Sequence, residues 1–131
     1  MSHRILVVDD EEPIRVNLCR FLRLEGHVVD EAPDGRVALG KLAEARYDLV
    51  LCDVMMPHCN GFELLAHMQA DAGLRSIPLV FLSASAEPEK LQEGLIMGAR
   101  HYITKPFNLL DLRQTIDELL EQTPPPPDGQ P

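Results

Sequence analysis

"LVLCDVMMPHCNG", residues 49–61, is the stretch on which the fold turns. Its first four residues read as a buried strand, and that strand runs into a carboxylate, Asp53. A Met-Met-Pro turn follows, and Asn60-Gly61 leads into the next helical period. A carboxylate at the tip of a buried strand is costly unless something pairs with it. The rest of the chain has to supply that partner.

Working outward, short apolar runs alternate with helical periods. Arg4–Val8 (RILVV) is a continuous β-branched run, and 27–32 (HVVDEA) is a weaker one. Residues 48–52 (DLVLC), 78–83 (PLVFLS) and 101–104 (HYIT) complete a set of five strands. Between them Ile14, Leu18, Phe21 and Leu22 recur at helical spacing, with Pro13 at the start and Gly26 at the stop. Ala38, Leu42 and Ala45 mark a second helix, Leu64, Leu65 and Met68 a third, Leu91 and Leu95 a fourth ending near Gly98. Leu109, Leu112, Ile116, Leu119 and Leu120 mark a fifth, with Asn108 as its N-cap. Strands that are apolar throughout are buried on both faces, which implies a parallel sheet. Right-handed crossovers then give an α/β, doubly wound sandwich of five strands and five helices.

Length and composition agree with one domain. The chain has 131 residues, 45% hydrophobic and 25% charged. The folded domain is expected over 1–121, with 122–131 (QTPPPPDGQP) as a Pro-rich tail or linker. No apolar run approaches the ~20 residues of a membrane span, and the N-terminus lacks a signal-peptide pattern, so a cytoplasmic protein with no membrane partner is expected. The net charge of −9 argues against direct nucleic-acid binding, which needs clustered Lys and Arg. The three cysteines, Cys19, Cys52 and Cys59, fit neither a disulfide framework nor a Cys-x-x-Cys site, and His58, Cys59 and His67 fit no zinc spacing.

In open α/β sheets ligands bind beyond the carboxyl ends of the strands. Here the first strand ends in Asp9-Asp10, the third at Asp53 and the fourth at Ser83, and the fifth is followed by Lys105-Pro106. With strand order 2-1-3-4-5 the first and third strands are neighbours, and Asp9, Asp10 and Asp53 converge. Each feature has a plainer reading alone: a helix cap for Asp9-Asp10, a turn cap for Asp53, a structural hydroxyl for Ser83, a solvated charge for Lys105. Together they make an apparatus for phosphoryl transfer. Three carboxylates select a hard divalent cation, Mg2+ or Mn2+. Lys105 adds an ammonium, and Asp53 is the candidate nucleophile, since carboxylates form aspartyl-phosphate intermediates.

The motifs ILVVDDE (5–11), DLVLCDVMMPHCNGFELL (48–65), PLVFLSA (78–84) and GARHYITKPF (98–107), with the closing helix, resemble those of receiver domains of two-component response regulators, the family of the bacterial chemotaxis regulator. The resemblance spans residues 4 to about 121 and implies a flavodoxin-like fold. It implies that Asp53 is the phospho-acceptor, that Asp10 and Asp53 ligate Mg2+ directly, that Asp9 acts through water, and that the backbone carbonyl of Met55 completes the set. It further implies that Ser83 and Tyr102 are the switch residues, that Lys105 contacts the phosphoryl group, and that the Lys105–Pro106 peptide is cis. Tyr102 is expected to rotate inward from solvent on phosphorylation. The implied partners are a histidine kinase or phosphotransfer protein, a downstream output protein or domain, and a second copy of the chain on phosphorylation. The implied activity is that of a switch catalysing its own phosphorylation and dephosphorylation.

Two rival readings share part of this pattern. A phosphatase of the haloacid dehalogenase type also uses an aspartyl nucleophile with Mg2+, but it wants an acid two residues later, where this chain has Met55. A flavin module needs a Ser/Thr-rich phosphate loop after the first strand, where this chain has Asp9-Asp10-Glu11-Glu12. The output face is expected over residues 88–120. Gly94 should weaken the fourth helix, and Leu95-Ile96-Met97 reads either as a buried helix end or as an exposed partner patch.

Overall fold

A computed structural model describes residues 2–56, 58–84 and 88–122. The chain runs β1 (Arg4–Val8), α1 (Glu12–Leu24), β2 (Val28–Ala32), α2 (Gly35–Glu44), β3 (Leu49–Asp53), α3 (Gly61–Ala70), β4 (Leu79–Ser83), α4 (Pro88–Ile96), β5 (His101–Thr104) and α5 (Leu109–Gln122). All strand pairs are parallel, in the order β2-β1-β3-β4-β5. The doubly wound sheet expected from the apolar runs is therefore present. Boundaries move by a residue: β2 begins at Val28, β3 reaches Asp53 itself, and α5 extends to Gln122. The remainder of the Pro-rich tail lies outside the described residues.

Alternation along the strands splits the core in two. Leu6, Val8, Val50, Cys52 and Phe81 face α2 and α3, packing on Ala38, Leu42, Leu64, Leu65 and Met68. Ile5, Val7, Leu49, Leu51, Val80 and Leu82 face α1 and α5, packing on Leu18, Cys19, Leu22, Leu112 and Ile116. Central β3 supplies both clusters, and all five of its residues are buried. Edge strand β2 reads as weak because Asp30 and Glu31 sit within it, bonded to Arg4 and Tyr47 and to Arg15 respectively.

Local signals fix the helix ends. Asp34 accepts from Val37 N at 2.9 Å, Asn60 and Glu63 form a capping box, and Asn108 Oδ1 accepts from Leu110 N at 2.8 Å. Gly26 and Gly98 stand at positive φ just past α1 and α4, where a side chain would be strained. Gly94 corrects its sequence reading. A Cβ there would lie 3.0 Å from the Phe81 ring, so this glycine lets α4 approach the sheet closely rather than merely weakening the helix. Leu95 and Ile96 are 47% and 75% exposed, so the buried-end reading of this segment fails for both.

Candidate functional site

Register brings the strand tips together. Val8 pairs with Cys52, so Asp9 follows β1 beside Asp53. Asp53 pairs with Leu82 and Ser83 with Thr104, which sets Ser83 and Lys105 at the next tips. Lys105 N donates to the Ser83 carbonyl at 2.7 Å, fixing where the lysine leaves the sheet. Its peptide to Pro106 is cis. The Lys105 ammonium then reaches three carboxylates: Asp9 Oδ2 at 2.9 Å, Asp53 Oδ2 at 3.1 Å and Glu11 Oε1 at 3.2 Å. This is the partner that the buried Asp53 required. Asp9 Oδ1 accepts from Glu11 N, and Asp53 Oδ1 faces Met55 N at 3.4 Å. Arg15 donates Nη1 to the Asp9 carbonyl at 2.8 Å and Nε to Glu31 at 3.0 Å, holding the turn from outside.

The donor set fits a metal ion. Oxygens of Asp9, Asp10 and Asp53 lie within 4.8 Å of one another. Asp9 and Asp53 are buried and Asp10 is exposed, so the cluster opens on one side. One ammonium does not balance these carboxylates and Glu11, and an all-oxygen set of this charge suits a hard divalent cation.

The family model for the response regulator receiver domain matches residues 5–117. The chain belongs to this family. It is 39% identical over 125 residues to the phosphate regulon transcriptional regulatory protein PhoB of Escherichia coli (strain K12), covering 95% of this chain and 55% of that protein. It is 38% identical to the response regulator MprA of Mycolicibacterium vanbaalenii, covering 95% and 53%. The receiver thus spans about half the length of these curated relatives. Among solved structures, chemotaxis response regulator CheY4 of Vibrio cholerae superposes with a TM-score of 0.85 at 35% identity, covering 91% of this chain and 99% of that one. A CheY-like receiver domain protein of Methanospirillum hungatei gives 0.87 at 30%, covering 94% and 97%. Among the described residues no helix is long and apolar enough to cross a membrane.

The electrostatics of the receiver's pocket are those of an overcrowded site. Burial pushes the Asp53 carboxyl up, to about 6, against the pull of the Lys105 ammonium, and the Asp9 carboxylate pushes it further. Burial works to lower the Lys105 ammonium, but the contacts with Asp9 and Asp53 override it and move it upward. The two partners of one ion pair differ because Lys105 is shared, whereas Asp53 competes with Asp9 for it. An acid whose folded value exceeds its unfolded one favours folding when protonated. In metal-free receiver this contribution is present below the unfolded value and is lost as pH rises from about 4 through about 6. The total loss is on the order of 3 kcal/mol at most. Asp53→Asn should therefore grow more stable relative to the parent across that window, as read by urea unfolding in chelator. A stability difference that is flat with pH would contradict the shift.

The remaining expected residues fall in place unevenly. Ser83 is buried at the end of β4. Tyr102 is not turned out to solvent. Its ring packs edge-on against Phe81, 5.9 Å between centroids, and its hydroxyl is buried with no partner among the described residues. Phe62 also packs edge-on against Phe81, 5.2 Å between centroids. Cys59 is buried, its carbonyl accepting from Gly35 N at 3.2 Å, so it ties the loop after Asp53 to α2. His58 is exposed at a φ of 68°. Sequence reading missed Glu11 and Arg15 as members of the site.

Proposed function

We propose that this receiver accepts a phosphoryl group on Asp53 from the phosphohistidine of a histidine kinase or phosphotransfer protein, in the cytoplasm. The observation that supports this most is Lys105, an ammonium held against Asp53 and Asp9 at the tip of the sheet. An Asp53 oxygen attacks phosphorus in line as the P–N bond of the donor breaks, and the electron pair leaves with the imidazole. Lys105 stays in place to take a phosphoryl oxygen. Asp9 keeps that ammonium oriented from its buried position, and the Ser83 hydroxyl meets another phosphoryl oxygen. Asp9, Asp10 and Asp53, with the Met55 carbonyl, would hold Mg2+ (or Mn2+), which would supply charge neutralisation at the transferring group. Self-catalysed hydrolysis of the acyl phosphate follows from the same groups.

Metal binding is separable from phosphorylation. At a Mg2+ concentration about ten times Kd, linkage adds about 1.4 kcal/mol, or several degrees in Tm for a domain of this size. Asp10→Ala should lose that shift while melting no lower than the parent in chelator, since it removes one of three crowded carboxylates. If Asp10→Ala keeps the full Mg2+ shift, Asp10 is no ligand.

The output reading rests on the face formed by α4, β5 and α5, where Leu95, Ile96 and Leu110 are 47%, 75% and 61% exposed. This face would carry a downstream domain, a partner protein or a second receiver. Because Tyr102 already lies inward, the phosphoryl group would hold an arrangement the fold already visits rather than create one. Hydrogen exchange with and without beryllofluoride, a mimic of the acyl phosphate, tests this. Protection should change after Ser83 and around Tyr102. Changes confined to 54–61 would show that this face does not carry the signal.

A further inference from the structure

Glu11 breaks a local rule. It is the N-cap of α1, a position that favours Ser, Thr, Asp or Asn, and its side chain makes no capping bond. Instead it reaches across to Lys105 Nζ at 3.2 Å, 94 residues away in sequence. An ammonium has three N–H donors, and here the three go to Asp9, Asp53 and Glu11. Asp9 and Asp53 are 0% and 8% exposed at the side chain, whereas Glu11 is 55% exposed. Glu11 is thus the one carboxylate of the three that can return to water at little cost. Glu11 and Lys105 share the rim of an open cavity of about 510 Å3 walled by Ile14, Leu18 and Phe107.

We infer that Glu11 is a positioning residue that occupies, in the unphosphorylated receiver, the donor of Lys105 that the phosphoryl group must take. It is a placeholder carboxylate that sets how readily anions enter the site. The inference rests on Asp53 being the acceptor. Entry of a phosphoryl oxygen displaces Glu11, so the Glu11–Lys105 pair is lost in the loaded state. Removing the pair beforehand makes loading easier. The pair is partly exposed, so the effect is modest: about a two- to fivefold gain in affinity for the anion.

The test is a titration of the receiver with beryllofluoride at saturating Mg2+, followed by 19F NMR. Glu11→Gln removes the charge. Glu11→Asp keeps it but is one methylene shorter, which shortens its reach toward Lys105, and an Asp at this N-cap position favours capping α1 instead. Both variants should bind about two- to fivefold more tightly than the parent. No gain in Glu11→Gln overturns the inference. So does a gain in Glu11→Gln with parent-like binding in Glu11→Asp, because that pattern belongs to a general field and not to an occupied donor. Asp53→Asn separates the underlying reading. If Asp53→Asn binds as the parent does, or the parent binds nothing, the acceptor assignment falls and the placeholder with it. A binding parent, a silent Asp53→Asn and unchanged Glu11 ratios would sink the placeholder alone.

Discussion

Incubated with Mg2+ and a small phosphodonor such as acetyl phosphate, the parent should take up one phosphoryl group and Asp53→Asn none. The product should be cleaved by base and by hydroxylamine, as an acyl phosphate is. The three candidate carboxylates differ in what surrounds them. Asp9 is fully buried, with one oxygen on Lys105 and the other on Glu11 N. Asp10 is exposed, and Lys105 is not bonded to it. Asp53 ends the central strand with an oxygen 3.1 Å from Lys105, next to the open side of the cluster. Of the two carboxylates on Lys105 that are candidates, Asp9 is fully buried, whereas the Asp53 side chain keeps 8% exposure beside the cation that would meet the incoming group. An amide at the same position keeps the shape and loses the nucleophile. Uptake by Asp53→Asn that equals the parent's would sink the assignment.

Gly61→Ala should cost about 3 kcal/mol, at the upper end of overpacking penalties, and lower Tm by about 10 °C. A Cβ there would stand 2.5 Å from the Asp53 carbonyl oxygen, 2.9 Å from Phe81 Cε1 and 3.0 Å from Val54 Cα. Two of these neighbours are backbone of the segment that carries Asp53. Gly61 N also donates to the Val54 carbonyl at 2.9 Å, so α3 cannot back away without breaking that bond. The strain has to move either the helix or Asp53, and phosphoryl uptake should fall along with stability. A thermal melt settles it: a Tm within about 2 °C of the parent would mean that the helix yields freely.

Strand tips were legible because an apolar run that stops at a polar residue marks its own end. That holds at Val8-Asp9 and at Cys52-Asp53. It explains why the convergence of Asp9, Asp10 and Asp53 was readable before any coordinates. Residues whose meaning depends on a neighbour distant in sequence were not legible. Glu11 looked like one more acid in Asp9-Asp10-Glu11-Glu12, because nothing local shows that it spans to Lys105. Gly94 looked like a weak point, because the Phe81 ring that excludes a Cβ sits on another element. Cys59 had no visible role until Gly35 was found against it. Asn60 and Glu63 lie within one turn, so their capping box is a local signal, yet the sequence reading took from it only the start of a helical period. The weak reading of β2 had a physical cause as well: an edge strand can hold Asp30 and Glu31, with Arg and Tyr groups to receive them.

The contact between Lys105 and Asp9 closes 96 residues of chain. A ribosome makes that chain from its N-terminus, so Asp9, Asp10 and Asp53 emerge well before Lys105. A nascent chain with only its first four strands out has the carboxylates but not the ammonium that pairs with them. It also lacks β5 and α5, so one flank of the sheet is uncovered. The complete site should therefore form only late in synthesis, and a product truncated before β5 should lack the Lys105 contacts with Asp9 and Asp53.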